Sequence, residues 1–306
     1  MRLPRRRFLT LASAAALAAP ANAAQAYRWR GVALGAQAQI ILDHPKAQQL
    51  TARALAEIDR LEDIFSLYRP GSALCRLNAE RELAAPPFEL LECLATARRV
   101  HTATEGRFDP SVQPLWRVLA KAWTAGRPPS EDRLTGARTL IGFDRVSFDS
   151  ARIVLAPGQE LTLNGIAQGY IGDRVARLMH DEGVHDVLID TGEILALGDG
   201  PGETGWPVSV ADGGKRWTLT NRALATSAHV GTVFDPAGEV GHILDPLSGM
   251  SRRPAIRQIS ISAPNAALAD ALSTGLCLAR SEREVAELLH MVPSARLEHI
   301  QIDQNT

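Results

Sequence analysis

Several residue types are scarce in this chain of 306 residues, and each scarcity excludes a class of protein. Its three cysteines, Cys75, Cys93 and Cys277, are odd in number and lack CxxC spacing, which argues against both a disulfide framework and a zinc site. The 33 basic side chains nearly cancel the 34 acidic ones, so charge gives no reason to expect a nucleic-acid partner. With 24 Gly, 18 Pro and no repeat of fixed period, the chain is neither fibrous nor disordered in composition.

The chain does contain enough apolar residues for a large core. Hydrophobic residues make up 45% of it, and the length allows one large domain or two of typical size. No Ser/Gly-rich linker divides the sequence. We therefore expect one globular domain that is stabilised by its core.

The first residues have the composition of an export signal. The cluster Arg5-Arg6-Arg7 precedes an apolar run over residues 8–19 and the small residues Ala21-Asn22-Ala23. An apolar core helix is the alternative, but it would have to follow four arginines, and the run is too short and too Ala-rich for a membrane anchor. Residues 5–9 resemble a twin-arginine signal. We expect a signal peptide over residues 1–23, a domain over residues 24–306, a periplasmic location and no membrane anchor.

Apolar periodicity predicts helices alternating with short strands. A spacing of three to four residues predicts helices over 47–64, 88–104, 166–182, 266–279 and 282–291. Runs of β-branched and alternating residues predict strands over 146–148, 152–155, 161–163, 187–190, 207–210, 217–219, 242–244, 258–262 and 296–302. This order predicts an α+β fold with helices packed on a largely antiparallel sheet.

Two polar turns follow predicted elements. In the segment Thr104-Glu-Gly-Arg-Phe-Asp-Pro-Ser, Asp109 and Ser111 lie close together, either in a binding turn or as a helix stop with an Asx cap. In Leu163-Asn-Gly-Ile-Ala-Gln-Gly-Tyr, small residues open a helix, where backbone N–H groups could hold a phosphate. A plain strand-to-helix turn explains the second segment equally well.

Two further segments carry chemically active side chains. His242 in Gly-His-Ile-Leu-Asp-Pro lies on a predicted strand, where it is either a base or a structural histidine. Asp270 and Thr274 are four residues apart on an apolar helix, so their oxygens share one face. A buried carboxylate needs a partner: either a cation, or an arginine from elsewhere, in which case Thr274 bonds back to its own helix. A carboxylate with a hydroxyl suits Mg²⁺, which keeps water or phosphate in its remaining positions.

Six motifs in order resemble the ApbE family of FAD:protein FMN transferases. They are Phe65-Ser-Leu-Tyr-Arg-Pro-Gly-Ser, Thr104-Glu-Gly-Arg-Phe-Asp-Pro, Asn164-Gly-Ile-Ala-Gln-Gly-Tyr, Asp190-Thr-Gly-Glu, His242-Ile-Leu-Asp-Pro and Ala269-Asp-Ala-Leu-Ser-Thr. The resemblance implies an α+β fold of T-fold type, with two intertwined lobes and FAD between them. It also implies a Mg²⁺-dependent enzyme that transfers FMN from FAD to a Thr or Ser hydroxyl of an acceptor protein and releases AMP.

The resemblance assigns roles to individual positions. His242 and Asp270 are the implied catalytic residues. The implied metal ligands are the Ala167 carbonyl, Asp270, Ser273 and Thr274. The implied FAD-binding residues are Leu34, Tyr68, Arg107, Phe108, Asp109, Asn164, Gln168, Tyr170 and Ile243. The chain departs from the common family pattern at Leu34 and Ala36, where Met and Thr are usual, and at Asn164 and Gln168, where Gly and Lys are usual.

Two other activities use the same residues. In an FAD pyrophosphatase, water replaces the acceptor hydroxyl and the products are FMN and AMP. In a non-catalytic flavin carrier, FAD is bound and kept intact. The partners that the resemblance implies are FAD and an exported flavoprotein subunit of a respiratory or electron-transfer complex.

Overall fold

The computed structural model describes residues 26–200, 204–209, 216–229, 231–249 and 255–303. The predicted signal peptide lies outside these residues. The helices of the described part are α1 Ala47–Phe65, α2 Ala73–Glu80, α3 Phe88–Ala103, α4 Gln113–Thr124, α5 Glu131–Arg138, α6 Ala167–Asp181, α7 Ala266–Leu276 and α8 Glu282–Leu289. The strands are β1 Tyr27–Ala33, β2 Ala36–Leu42, β3 Glu82–Ala84, β4 Ser147–Phe148, β5 Arg152–Val154, β6 Val187–Asp190, β7 Ile194–Leu197, β8 Trp206–Ser209, β9 Arg216–Leu219, β10 Arg222–Ala228, β11 Ile256–Ala263 and β12 Arg296–Ile302.

One large sheet organises the fold. Its seven strands lie in the order β1-β2-β6-β7-β10-β11-β12, and each neighbouring pair is antiparallel. Two smaller sheets have the orders β3-β5-β4 and β8-β9. Helices α1, α3, α6 and α7 pack together, and α7 also packs on β10 and β11. The predicted α+β class with a largely antiparallel sheet is confirmed.

Helix α7 is the buried centre of this arrangement. Nine of its eleven residues are buried, as expected of a helix that is apolar on all sides. Its first N–H groups are satisfied from two directions: Asn265 Oδ1 accepts from Leu268 N at 2.9 Å, and the Asp173 carboxylate accepts from the N–H groups of Ala266 and Ala267 at 2.7 and 2.9 Å. The start of α7 is thereby tied to α6, which carries Asp173.

Most of the predicted elements occur, with shifts at their ends. The five predicted helices correspond to α1, α3, α6, α7 and α8, although α7 ends at Leu276. The sequence patterns did not predict the β1–β2 hairpin, helices α2, α4 and α5, or strands β3, β7 and β10.

Two predicted strands are wrong, because neither segment pairs with a neighbouring strand along its length. At 161–163, Asn78 accepts from Leu161 N at 2.7 Å and donates to Leu161 O at 2.8 Å. The segment 242–244 lies in a loop with a single bridge between Val233 and Gly241. There His242 N donates to Thr232 O at 3.0 Å.

Helices α4 and α5 support the loop that carries His242. Leu244 from this loop packs with Leu115, Leu119 and Ala137 in a small core separate from the main one. The Trp116 and Phe234 rings meet edge to face, with centroids 5.3 Å apart. Apolar contacts with α4 and α5 therefore hold the loop in place.

Among the residues that the structure describes, no helix is both long and apolar enough to cross a bilayer.

Candidate functional site

A cavity of about 300 Å³ opens between α1, α6 and the β1–β2 turn. Residues from three parts of the chain line it: Leu34, Gly35, Glu62, Phe65, Ser66, Leu67, Tyr68, Arg69, Asn164, Ala167, Gln168 and Ile171. Tyr68 is 45% exposed, so its ring is accessible to a ligand. Five residues predicted for the site, Leu34, Tyr68, Asn164, Ala167 and Gln168, come together here.

The rim of this cavity is held by an ion-pair cluster. Leu34 and Gly35 have φ of 55° and 76°, the two positive values that a tight type I′ hairpin turn needs. Leu34 N donates to Glu62 Oε1 at 3.1 Å, and Glu62 also pairs with Arg69. Arg69 further pairs with Asp59 and Asp63, each at 2.7 Å. The turn, α1 and the loop that carries Tyr68 are thus joined at one point.

The start of α6 connects the cavity to α7. Gly169 N donates to Asp270 Oδ2 at 3.2 Å, and a Cβ at Gly169 would lie 2.3 Å from Ala266 O. A Cβ at Gly165 would lie 2.8 Å from Thr274 Oγ1. Only glycine allows these approaches. The segment that forms one wall of the cavity therefore contacts two of the three predicted metal-binding side chains of α7, those of Asp270 and Thr274.

Asp270 is a buried carboxylate without a cationic partner. Its exposed fraction is 4%, and within the described ranges no Arg, Lys or His forms an ion pair with it. Burial raises the pKa of Asp270 to about 7, while the Gly169 N–H opposes this shift. The alternative of a buried arginine partner finds no support in this part of the chain.

Thr274 and Ser273 are linked to β10 through Ser227. Ser227 Oγ lies 2.8 Å from Ser273 Oγ and 3.4 Å from Thr274 Oγ1. Ser273 is fully buried, and its hydroxyl donates to Asp270 O at 3.0 Å. The Ser273 hydroxyl proton is therefore already used in a hydrogen bond to the Asp270 carbonyl. Thr274 lies against the Gly165 backbone, beside the cavity wall.

A second buried acid, Glu193, was not among the predicted site residues. It is 8% exposed, accepts from Thr226 N at 3.3 Å, and has its pKa raised by burial and by the Asp270 charge. Its place in the motif that begins at Asp190 was the available signal. Two buried carboxyl groups thus repel each other when both are charged, and a cation between them would relieve that repulsion.

His242 lies in the loop that follows β10. Its Nδ1 donates to Thr232 O at 3.1 Å, since a carbonyl oxygen can only accept. Burial lowers the pKa of His242, and the carbonyl groups of Thr232 and His229 act in the opposite direction. At neutral pH the ring is uncharged with its proton on Nδ1, so Nε2 can accept a proton.

The turn at 107–109 lies against α7 rather than on the cavity. Arg107 pairs with Glu284 and, at 3.3 Å, with Glu105, and a Cβ at Gly275 would meet the Phe108 Cβ at 2.9 Å. Asp109 accepts from Ser111 N at 2.7 Å and from Phe143 N at 3.1 Å. These are the contacts of the Asx cap that was the alternative for this turn, and a role in FAD binding stays a prediction.

Tyr170 and Ile243 are also not among the residues that line the cavity. The Tyr170 ring meets Phe65 edge to face at 5.3 Å, and its hydroxyl donates to Glu92 Oε2 at 2.5 Å. Ile243 is 7% exposed and packs in the main core. Their assignment to FAD is likewise untested.

The donor set fits a hard cation. No group of three His, Cys, Asp or Glu residues is positioned for a metal in the described part of the chain, so the ligands would have to be mixed. Asp270 and Thr274 offer a carboxylate and a hydroxyl on one face of α7, and Ala167, whose carbonyl is the predicted third protein ligand, lines the cavity. Such a set leaves positions for water and phosphate. Mg²⁺ commonly binds in this way.

Comparison with known proteins identifies relatives across nearly the whole described chain. Proteins named FAD:protein FMN transferase are 26% identical in Salmonella typhimurium, over 79% of this chain and 74% of that protein, and 26% identical in Chlamydia muridarum, over 85% and 86%. The flavinyl transferase ApbE of Pseudomonas stutzeri in its apo form superimposes with a TM-score of 0.78 at 26% identity, covering 91% of this chain and 92% of that one. The ApbE protein of Thermotoga maritima gives 0.80 at 25% identity, with 92% and 97% covered.

The sequence profile of the ApbE family extends over most of the fold. It matches residues 34–294, from the β1–β2 turn to the residues after α8. This range includes the cavity, the α7 carboxylate and the His242 loop. The chain therefore belongs to the ApbE family.

Proposed function

We propose that this protein is an FAD:protein FMN transferase. It takes FAD as substrate, forms a phosphoester between FMN and a Thr or Ser hydroxyl of an acceptor protein, and releases AMP. Relatives of that name over three quarters or more of the chain support the reaction class.

One juxtaposition carries the proposal. The start of α6 both lines the cavity and contacts Asp270 and Thr274. A flavin or adenine ring in the cavity would place a pyrophosphate beside these oxygens, where backbone N–H groups at a helix start favour anions. The apolar lining with a few polar groups is typical of a cofactor-sized site.

Different residues of this chain would bind the flavin, bind the phosphates, accept the proton and hold the metal ion. Tyr68 offers an accessible ring for stacking, and Asn164 and Gln168 offer amide donors for phosphate oxygens. His242 accepts the proton of the acceptor hydroxyl as its oxygen bonds to the FMN phosphorus and the bond to AMP breaks. Asp270 and Thr274 would hold Mg²⁺. When bound, the metal ion supplies charge neutralisation for the pyrophosphate and the leaving phosphate.

We also propose export to the periplasm through residues 1–23, with an electron-transfer subunit as acceptor. The arginine cluster and the apolar run of the sequence support export. A covalently attached flavin cannot diffuse away from an exported subunit. Covalent attachment would therefore keep the flavin on its protein in the periplasm.

Mass spectrometry of a co-expressed acceptor domain tests the activity. Purified protein, FAD and Mg²⁺ should add FMN to one Thr or Ser of the acceptor and release AMP in equal amount. An acceptor with that residue changed to Val should stay unmodified, and Asp270→Ala should stop turnover. Rapid release of FMN and AMP without acceptor would favour the pyrophosphatase, and binding of intact FAD without turnover would favour the carrier.

A further inference from the structure

Ser227 on β10 links the sheet to the metal-binding face of α7. Its hydroxyl oxygen lies within hydrogen-bond distance of both Ser273 Oγ, at 2.8 Å, and Thr274 Oγ1, at 3.4 Å. These residues are 46 and 47 positions away in sequence. Helix α7 packs directly on β10, which brings them together.

The direction of each hydrogen bond follows from counting protons. A hydroxyl has one proton to donate and two lone pairs. Ser273 donates its proton to the Asp270 carbonyl, which can only accept. Ser227 must then donate to Ser273, so the contact between Ser227 and Thr274 requires Thr274 to donate.

This order leaves the lone pairs of Thr274 available. A hydroxyl that binds a cation must turn its oxygen lone pair toward the metal ion and its proton elsewhere. Thr274 lies against Gly165, at the turn that leads to the cavity wall, and it shares a helix face with Asp270. A Thr274 proton directed to Ser227 is directed to strand β10, and not to Gly165.

We propose that Ser227 is a positioning residue for the cation site. By accepting a hydrogen bond from the Thr274 hydroxyl, Ser227 fixes the rotation of that hydroxyl with its lone pairs toward the ion that Thr274 and Asp270 would hold. This inference rests on the proposed function, since Mg²⁺ is the ion of the proposed reaction.

A neighbouring pair provides a matched control. Thr226 Oγ1 and Ser260 Oγ are 2.9 Å apart, join β10 to β11, and form no hydrogen bond with α7 in the described structure. Ser260→Ala therefore removes a buried hydroxyl bridge of the same sheet without altering the chain of hydroxyls that ends at Asp270.

The test measures Mn²⁺ binding by the full-length protein without FAD, from the electron paramagnetic resonance signal of free Mn²⁺. Mn²⁺ accepts the same oxygen ligands as Mg²⁺. Loss of an outer-shell partner commonly weakens metal binding 10- to 100-fold, so Ser227→Ala should bind Mn²⁺ about 10-fold more weakly. Ser227→Thr should restore most of the affinity, Ser260→Ala should match the wild type, and Asp270→Asn should abolish binding.

The outcomes separate this inference from the proposed function. Wild-type affinity in a folded Ser227→Ala variant would overturn it, as would equal weakening in Ser260→Ala or no Mn²⁺ binding by the wild type. Thermal melting of each variant shows whether a loss reflects unfolding. If the wild type binds Mn²⁺ and the variants follow the expected order, but no FMN is transferred, the positioning role stands and the transferase proposal fails.

Discussion

At the scale of single residues, the buried Asp270 carboxylate lowers the stability of the metal-free protein at neutral pH. A carboxylate with 4% exposure and no ion pair in the described structure is costly to bury in its charged form. Its pKa of about 7 exceeds the ordinary value of 3.8, so the folded state binds more protons than the unfolded state between about pH 4 and 7. Stability of the metal-free protein therefore falls as the pH rises through that window.

Asp270→Asn should remove this penalty. In EDTA at pH 8 we expect the variant to be more stable by about 2 kcal/mol, with the gain shrinking toward pH 4, where the native carboxyl is already neutral. FMN transfer should be lost at every pH. Urea unfolding at both pH values checks the first expectation, and a variant less stable than wild type at pH 8 would contradict it.

His242 should set the acidic limb of the reaction. Because burial lowers its pKa below the ordinary 6.5, the ring stays unprotonated to a pH below that value, and kcat should decline only at lower pH. His242→Asn should reduce kcat by about 10²- to 10⁴-fold and leave FAD affinity within a factor of three. Steady-state rates between pH 5 and 8 measure the loss of kcat and the position of the acidic limb, and an FAD titration measures the affinity. An unchanged acidic limb in the variant would exclude His242 as the base.

Tyr68 should contribute to FAD binding and little to folding. Tyr68→Ala removes a half-exposed ring from the cavity and should raise the Kd for FAD about five- to ten-fold, since a ring stack adds about 1 kcal/mol. Tyr68→Phe should bind as the wild type does. Phe88→Ala is the matched control, because Phe88 is 65% exposed and does not line the cavity. Flavin fluorescence titration measures all four proteins, and equal affinities would place the flavin elsewhere.

At the scale of elements, the crossing of α6 and α7 builds the site. A Cβ at Gly169 would lie 2.3 Å from Ala266 O, so Gly169→Ala must push the helices apart. We expect a loss of about 2 kcal/mol and weaker metal binding, because Gly169 N also holds Asp270.

Gly172→Ala on the same helix is the control. Its Cβ would make only ordinary contacts at 3.6 and 4.0 Å, and alanine favours a helix by up to about 1 kcal/mol over glycine. It should be neutral or stabilising in urea unfolding. Equal losses in the two variants would show that helix propensity, and not the close crossing, decides the effect.

At the scale of the whole molecule, the proposed export would change the net charge of the protein. Removal of residues 1–23 takes away four arginines and leaves 29 basic against 34 acidic side chains. The overall charge of that mature chain would not attract an anionic substrate, so the proposed Mg²⁺ would have to attract it locally.

Changing Arg5 and Arg6 to Lys should block export, if the signal is of the twin-arginine type. Fractionation of cells that produce the tagged protein should show it in the periplasm for the wild type and inside the cell for the variant. An equal periplasmic fraction in both would contradict this route, and a cytoplasmic wild type would contradict export altogether.

The sequence by itself determined the elements with strong local patterns. Helices α1 and α3 were predictable because their apolar residues recur at the helical period, and Asp270 and Thr274 share a face because they are four residues apart. The order of six motifs led to the family. These signals depend only on spacing within an element or along the chain.

Only the tertiary structure decided which distant groups meet. Ser227 reaches Thr274 because β10 packs on α7, and Asn78 replaces the strand partner expected for Leu161. The buried carboxyl groups of Glu193 and Asp270 are close enough for the charge of Asp270 to raise the Glu193 pKa. In the 107–109 turn, Asp109 caps backbone N–H groups and Arg107 forms an ion pair with Glu284, and these contacts join separate elements. Such contacts follow from burying the whole apolar surface at once, and no local periodicity encodes which polar atoms that packing brings together.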